Sequence, residues 1–549
     1  MGNHNSRKRQ QKRDELERDL NILENRLENL SRERIEEITG LKLRVLLEKL
    51  NSGELKSAEV LQAFQCKAVE KNRDLNFITA VIKEAQDDAV ACDTASEKGP
   101  LHGLPVTIKD CVGLKGYDST CGLVNWIGKP WEENSVLTKV LKKQGAIPFI
   151  KTNVPQTMLA YDCSNPIFGA TKNPHDPSRS PGGSSGGEGA AVGSGASLVG
   201  IGTDIGGSVR VPAACCGVYG LKPTWFRISS AGNTPFYSGN KLLCTCYGVL
   251  GQDVDSLAIM MKALLCPYMF KLDPYVPPIP FQSEIYESTK PLKIGFYTEF
   301  EDFITPVPAC QRAVLVAKAV LEQKGHKLIP WTPPNVKDNL FTYYGRNILA
   351  DYGESLAVML KGDVIDQCMQ VFHSVRLPYF LKRIISFFIK PFDCFASRML
   401  LAVKPFRSIY EWFNFNTKVE KWKMDFKDNW QNYEMDAVIC PVMTAPALPL
   451  GYPGRAHASM AFCTLYNVLN FPAGVVPVTK VTATDMEELK NYKAPNTWQK
   501  LVKKGCEGGK GLPVAVQCVT LPFQEELCLR VMKELQEGLQ YAHDEMEEY

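Results

Sequence analysis

The chain has 549 residues, of which 45% are hydrophobic and 22% charged, and its formal net charge is +3. These proportions are typical of a globular protein with a large core, and they exclude a disordered or fibrous chain. The small net charge gives no reason to expect a nucleic-acid partner. The 18 cysteines are scattered without zinc-site spacing, so we expect buried thiols in a reducing compartment and no metal or organic cofactor.

The first residues, MGNHNSRKRQQKR, combine a lipidation pattern with a basic cluster. Gly2 followed by Ser6 fits the N-myristoylation signal. Five lysines and arginines follow within residues 7–13, and a polybasic patch is the kind of second signal that stabilises anchoring by one acyl chain. We therefore predict lipidation of Gly2 and peripheral attachment to the cytoplasmic face of a membrane. The alternative is a chance match on a solvated basic tail.

Leucines at positions 16, 20, 23, 27 and 30 recur at four-three spacing. They predict an amphipathic helix with about two heptads of apolar seam. So short a seam either packs on the rest of the chain or forms a homodimer contact, and both interpretations remain open. We assign residues 1–40 to a basic, helical N-terminal segment and residues 41–549 to the main domain.

Helical and strand patterns alternate beyond residue 40. Ser135 can cap a helix that runs from Val136 to Gly145, and AIPFI (146–150) then predicts a buried strand. A second helix is predicted over residues 308–325, with proline at its start and glycine at its end. Short apolar runs predict further strands at residues 293–297, 437–440, 474–479 and 513–519. This alternation predicts one large α/β domain whose central sheet is flanked by helices on both sides. No apolar run reaches the roughly 18 residues of a membrane-spanning helix.

The glycine- and serine-rich stretch SPGGSSGGEGAAVGSG (180–195) admits several interpretations. A phosphate cradle needs a lysine and a hydroxyl at fixed spacing, and Glu188 would repel phosphate. Residues 182–186 fit the Gly-x-Ser-x-Gly elbow, but the preceding NPHDPSRSP consists of turn formers rather than a central strand. A flexible linker is disfavoured because apolar core segments follow directly.

The remaining interpretation is a resemblance. GGSSGGEGAAVG (182–193), a spacer and GIGTDIGGSVRVPA (200–213) match the long signature of the amidase signature family. Three further segments match the pattern of the same family: LPVTIKD (104–110), residues 152–169 and GLKPT (220–224). Within the family, the chain is most similar to the animal fatty acid amide hydrolases. The resemblance covers about residues 45 to 537. It implies the amidase-signature fold, with a large mixed sheet in a single catalytic domain.

The resemblance also implies a Ser-Ser-Lys triad. Ser208 corresponds to the nucleophile, Ser184 to the bridging serine and Lys109 to the base, while the backbone of Met158 contacts the centre. These residue types suit the chemistry, because a serine needs a base to take its proton and burial can make a lysine neutral. The N–H groups of Ile205, Gly206, Gly207 and Ser208 can converge on an oxyanion. Asp204 and Arg210 are predicted to form a structural ion pair.

RLPYFLKRIISFFIKPFDCF (376–395) combines aromatic and branched apolar residues with four cations. An apolar helical face flanked by cations suits a membrane interface, whereas an ordinary core helix ending at Pro391 is the alternative. The resemblance favours a membrane-binding cap, which we place at residues 371–400. Familiar animal members also carry an N-terminal membrane-spanning helix, which is not predicted here.

The expected function is therefore a membrane-associated serine hydrolase that cleaves fatty acid amides, such as N-acylethanolamines and primary fatty amides. Its expected partners are the lipid substrate and a membrane surface. A lipid ester hydrolase with the same triad is the nearest alternative, and an amidase that feeds ammonia to a partner protein is disfavoured by the apolar cap. An inactive membrane-associated scaffold is the alternative from another class.

Overall fold

The computed structural model describes residues 2–26, 30–234, 239–240, 242–369 and 375–547. The strands are β1 Ile78–Val81, β2 Pro105–Lys109, β3 Ile147–Thr152, β4 Ser164–Asn165, β5 Gly169–Ala170, β6 Val199–Asp204, β7 Tyr219–Lys222, β8 Cys246–Gly251, β9 Lys293–Phe296, β10 Lys327–Pro330, β11 Ala437–Pro441, β12 Ala473–Lys480 and β13 Pro513–Val519. The helices of the first half are α1 Gly2–Arg26, α2 Arg32–Thr39, α3 Leu43–Ser52, α4 Ser57–Leu75, α5 Ala85–Thr94, α6 Val136–Lys143, α7 Gly186–Gly193, α8 Arg210–Cys216, α9 Val254–Leu264 and α10 Pro267–Leu272. Those of the second half are α11 Ser283–Tyr286, α12 Pro308–Gln323, α13 Val336–Ile348, α14 Glu354–Leu360, α15 Tyr379–Ile389, α16 Cys394–Ala402, α17 Ile409–Asn432, α18 Ala461–Val468, α19 Ala483–Asn491, α20 Thr497–Cys506 and α21 Glu525–Glu547.

Eleven strands form one mixed sheet in the order β1-β3-β2-β6-β8-β7-β12-β13-β11-β9-β10. Strand β2 runs parallel to both β3 and β6, and β9 runs parallel to β10 and β11. The pairs from β6 through β8, β7, β12 and β13 to β11 are antiparallel. Helix α7 packs against β2, β3 and β6, α9 against β7 and β8, and α12 and α21 against β11 to β13. The predicted large mixed sheet flanked by helices is confirmed.

The capping residues predicted from the sequence lie at the helix ends as expected. The hydroxyl of Ser135 accepts a hydrogen bond from Thr138 N at the start of α6, and Gly145 after its end has φ +90°. Pro308 opens α12, and Gly325 follows it with φ +90°. A positive φ costs glycine no side-chain clash. The strands predicted at 146–150, 293–297, 437–440, 474–479 and 513–519 correspond to β3, β9, β11, β12 and β13.

Helix α1 begins at Gly2 and lies against the main domain. Leu23 is buried against Val69 and Val81, and Leu16 packs near Val124 and Ile167. Leu27 lies outside the described residues. In the described residues the seam therefore packs on the chain itself, and the homodimer contact stays a prediction.

Two of the predicted basic residues also contact the main domain. Lys12 Nζ lies 3.5 Å from a carboxylate oxygen of Asp118, and the Arg13 guanidinium donates to the carbonyls of Pro166 and Ile167. Fewer of the five N-terminal cations therefore face solvent than a free tail would offer. No helix of the described ranges has the length and apolarity to cross a membrane.

Candidate active site

Lys109 is the last residue of β2, in the interior of the sheet, and its side chain is fully buried. Side chains alternate along a strand, so Val106 and Ile108 join the hydrophobic core while Thr107 and Lys109 face α7. The Lys109 amine donates to Ser184 Oγ at 2.7 Å and to Thr203 Oγ1 at 2.6 Å. Burial lowers the pKa of Lys109 below its usual value. The environment thus favours the neutral amine that a general base requires.

Ser184 follows two glycines in the turn that leads into α7. The Gly183–Ser184 peptide bond is cis, and Gly182 has φ +78°. A Cβ on Gly183 would collide with the backbone carbonyl of Asp162. Glycine at this position therefore lets the turn approach the loop at residue 162 closely enough to bring Ser184 to Lys109.

Ser208 is half-buried at the end of the turn that follows β6. Gly207 has φ +126°, which side chains rarely adopt. The backbone carbonyl of Ser208 accepts a hydrogen bond from Ser185 N at 3.1 Å. This bond joins the Ser208 turn to the residue next to Ser184, which in turn contacts Lys109. The triad itself stays a prediction.

The predicted ion pair lies directly beneath this turn and is confirmed. Arg210 Nη2 lies 3.0 Å from Asp204 Oδ1, and both side chains are fully buried. Asp204 also accepts hydrogen bonds from the N–H groups of Gly207 and Val209. Burial alone would raise the pKa of Asp204, but the charge and hydrogen bonds of Arg210 lower it below the usual range. The ionised pair therefore holds the shape of the turn that carries Ser208.

The four predicted oxyanion donors are not equivalent. Gly207 N already donates to Asp204 Oδ1 at 2.8 Å. No described residue accepts a backbone hydrogen bond from the N–H groups of Ile205, Gly206 or Ser208. The oxyanion role of those three N–H groups stays a prediction, whereas the Gly207 N–H already has an acceptor.

Met158 lies in a short 3-10 helix, Gln156–Met158, with φ +60°. Its N–H donates to Pro155 O at 2.9 Å, and its side chain packs with Cys111, Cys121 and Val154. Its predicted backbone contact with the centre stays a prediction.

Three further residues of the site were missed by sequence reasoning. Thr203 contacts Lys109, Glu188 lies fully buried beside Thr107, and the Tyr344 hydroxyl lies where a Cβ on Gly206 would stand. Burial raises the pKa of Glu188 to about 7. Thr203 and Glu188 belong to the quoted signature, but neither spacing nor composition distinguishes their roles. No cluster of three or more histidine, cysteine or acidic side chains suited to a metal ion occurs in the described part of the chain.

A cavity of about 720 Å³ lies among helices of the second half of the chain. Its wall is largely apolar and comes mainly from α13, α16 and α20, including Phe341, Ile348, Phe395, Met399 and Trp498. Tyr344 and Thr464 also line it, and Thr464 Oγ1 lies 3.5 Å from Gly206 O. Two side chains of the cavity wall therefore lie beside Gly206, two residues before Ser208. An apolar space of this size suits a ligand with an apolar chain.

Comparisons with known proteins agree with this geometry. The family model described as "Amidase" matches residues 59–529. Fatty-acid amide hydrolase 1 of Sus scrofa is 44% identical over 504 residues, which cover 91% of this chain and 86% of that protein. Fatty acid amide hydrolase 1 of Caenorhabditis elegans is 34% identical over 96% of this chain and 93% of its own length. A solved structure of fatty acid amide hydrolase has a TM-score of 0.80 at 24% identity, covering 97% of this chain and 94% of that chain, and so supports the fold.

Proposed function

The chain belongs to the amidase signature family and is an amide hydrolase, and from this premise we propose that it cleaves fatty acid amides with a Ser208–Ser184–Lys109 triad. The observation that carries the proposal is the 2.7 Å contact between Lys109 and Ser184, together with a largely apolar cavity of about 720 Å³ whose lining residue Thr464 lies 3.5 Å from Gly206 O, two residues before Ser208. The cavity would hold the acyl chain, and the triad would act on the amide at its end.

The proposed reaction moves one proton twice. Neutral Lys109 accepts a proton from Ser184 as Ser184 accepts one from Ser208, and the Ser208 oxygen bonds to the amide carbon. The N–H groups of Ile205, Gly206 and Ser208 stabilise the oxyanion. The proton then returns through Ser184 to the leaving amine as the C–N bond breaks. Water hydrolyses the acyl-enzyme by the same route and releases the fatty acid.

Ser184→Ala is expected to distinguish amide from ester chemistry. An amine leaves only when protonated, whereas an alkoxide needs less assistance, so kcat for oleoylethanolamide should fall by about 10²–10⁴-fold and kcat for monooleoylglycerol by less. Steady-state kinetics on the two matched substrates measure this. Equal losses would contradict the relay, and a wild-type enzyme that cleaves only the glycerol ester would establish the lipid ester hydrolase instead.

The cap helices support a membrane-associated enzyme. Phe387 and Phe388 on α15 are 73% and 67% exposed, and α16 contributes Phe395 and Met399 to the cavity wall. An exposed apolar patch beside the cavity suits entry of a substrate from a lipid phase. Residues 371–374 of the predicted cap lie outside the described residues.

Charging both phenylalanines, as Phe387→Glu with Phe388→Glu, is expected to release the protein from vesicles, because it removes apolar area and adds repulsion from anionic headgroups. Vesicle flotation measures the bound fraction. The matched control is Leu315→Glu with Tyr275→Glu, two exposed apolar residues outside the cap, which should bind as wild type does. Unchanged binding of the cap variant would remove the cap from the proposal.

Myristoylation of Gly2 belongs to the same proposal. Gly2→Ala, expressed where the acyltransferase is present, is expected to lower the membrane-bound fraction, because the acyl chain would act together with the cap and the remaining N-terminal cations. Cell fractionation and intact-mass measurement test this. A wild-type mass without the acyl group, or unchanged fractionation of the variant, would contradict it.

A further inference from the structure

Glu188 lies in the first turn of α7, where it is fully buried and stands against three adjacent strands. Its Oε1 accepts a hydrogen bond from Thr152 Oγ1 on β3 at 2.7 Å, and its Oε2 lies 2.5 Å from Thr107 Oγ1 on β2. A Cβ at position 200 on β6 would collide with the same carboxyl group. Glycine at position 200 therefore makes room for this acid.

The contacts of Glu188 connect the segments that carry Lys109 and Ser184. Thr107 is two residues before Lys109 on the same face of β2, and Thr152 is the register partner of Lys109 on β3. Ser184 is four residues before Glu188, on the turn that opens α7. The acid thus joins the turn that carries the relay serine to the strand that carries the base.

The surroundings of Glu188 suit a neutral acid. No described residue forms an ion pair with it, and an unpaired buried charge is costly. Thr107 Oγ1 lies 3.4 Å from Val199 O, so a protonated Glu188 can donate to Thr107 while Thr107 donates to that carbonyl. Burial raises the pKa of Glu188 to about 7, against the hydrogen bonds of the two threonines and the charge of Lys109.

The cationic group that acts on Glu188 is Lys109 in its protonated form. Charged groups on the other elements near α7 have their own partners: Arg210 with Asp204, Lys67 with Glu36, and Lys151 with the carbonyl of Asp118. The buried thiols around the site are kept neutral by burial, which raises the pKa of Cys111, Cys121, Cys163 and Cys216.

We propose that Glu188 is a positioning residue for the reaction at Ser208: its carboxyl group fastens the Ser184 turn to the Lys109 strand, and its protonation state sets how tightly Lys109 holds its own proton. An ionised Glu188 would attract a proton to the Lys109 amine and so remove the base. The inference rests on the proposed function, in which Lys109 is that base.

Glu188→Gln tests the charge. Glutamine keeps the size and can still bond to both threonines, but it is neutral at every pH. In the wild type, ionisation of Glu188 on raising the pH makes Lys109 hold its proton more tightly. The rise of kcat/KM with pH, the acidic limb of the profile, therefore occurs at a higher pH than Lys109 alone would give. The variant's limb is expected about one pH unit lower, with a plateau within about fivefold of wild type. An unmoved limb would overturn the proposal.

Thr152→Val tests the fastening, and it also serves if Glu188→Gln fails to fold. Loss of the hydroxyl is expected to lower kcat by about tenfold at unchanged KM, and Thr152→Ser should restore it. A wild-type kcat in Thr152→Val would contradict the positioning role.

The matched control for Glu188→Gln is Glu526→Gln, which changes a buried acid paired with Arg227. It should keep the acidic limb of kcat/KM at the wild-type pH.

Failure of this inference is distinguishable from failure of the proposed function. An unmoved limb in a Glu188→Gln enzyme that still reacts with a fluorophosphonate at Ser208 overturns only the role of Glu188. Amide hydrolysis that survives Ser208→Ala overturns the proposed function itself.

Discussion

Lys109→Met is expected to lower kcat/KM for oleoylethanolamide by about 10³–10⁴-fold. Methionine fills a similar volume, but it cannot accept the proton that Lys109 would take through Ser184 at 2.7 Å. The wild-type rate should rise with pH as the buried amine loses its proton, because burial lowers the pKa of Lys109. That limb should be absent from the variant, and pH-rate profiles of both proteins measure it.

The same substitution has a signature in stability. The folded Lys109 gives up a proton that the unfolded chain still binds, so the wild-type free energy of unfolding rises relative to the variant as pH increases toward the ordinary lysine pKa. Chemical denaturation at several pH values measures this difference. A difference that falls with pH would contradict the neutral amine.

Lys151→Met is the matched control for the activity measurement. Lys151 is a fully buried lysine on the neighbouring strand β3, and burial lowers its pKa as well. Its amine donates to Asp118 O at 2.7 Å and to Ser119 Oγ at 3.2 Å, away from Ser184. Activity within about tenfold of wild type is expected. If the two variants lose activity equally, loss of a buried amine rather than loss of the base explains the effect.

The elements with strong local signals could be predicted from the sequence. Pro308 and the glycine at 325 bound α12 because each suits one helix terminus, and short apolar runs become buried strands such as β13. The strand order could not be predicted from these signals. Strand β11 pairs with β9, whose residues lie more than a hundred positions earlier, and no local pattern contains that long-range pairing.

The N-terminal helix shows another limit of local patterns. The apolar seam predicts a helix only from Leu16, whereas α1 begins at Gly2. The additional turns contact the main domain through polar groups: Asn5 donates to Gly362 O at 2.9 Å, and Arg13 donates to the Pro166 carbonyl. Hydrophobic periodicity cannot detect a helix held in place by such long-range polar contacts.

For the site, the family signature predicts which serines and which lysine react, and the structure brings Lys109 and Ser184 into contact. Thr203 could not be paired with Lys109 from sequence, since the two lie 94 residues apart. Their contact depends on the parallel pairing of β2 with β6, in which Ile108 stands beside Ile201. Similarly, the role of Glu188 follows from two threonines on separate strands, which only the sheet brings together.

Ser208→Ala is expected to abolish covalent labelling by a fluorophosphonate and to lower kcat for amide hydrolysis by at least about 10⁴-fold. Without the hydroxyl no acyl-enzyme forms, and the available backbone N–H groups and the cavity provide only the residual catalysis that binding and oxyanion stabilisation supply. Peptide mass spectrometry of the labelled wild type should locate the adduct on Ser208.

Two neighbouring serines provide the comparison that makes this result specific to Ser208. Ser184→Ala keeps the Ser208 hydroxyl, so it should label more slowly but still on Ser208. Ser185 has its hydroxyl 3.2 Å from both the carbonyl and the N–H of Thr203, so it serves the backbone and should carry no adduct. An adduct on Ser184, or labelling that persists in Ser208→Ala, would move the nucleophile into the glycine-serine turn before α7. The half-buried position of Ser208, with its turn held by the buried Asp204–Arg210 pair, is the physical reason to expect the adduct there.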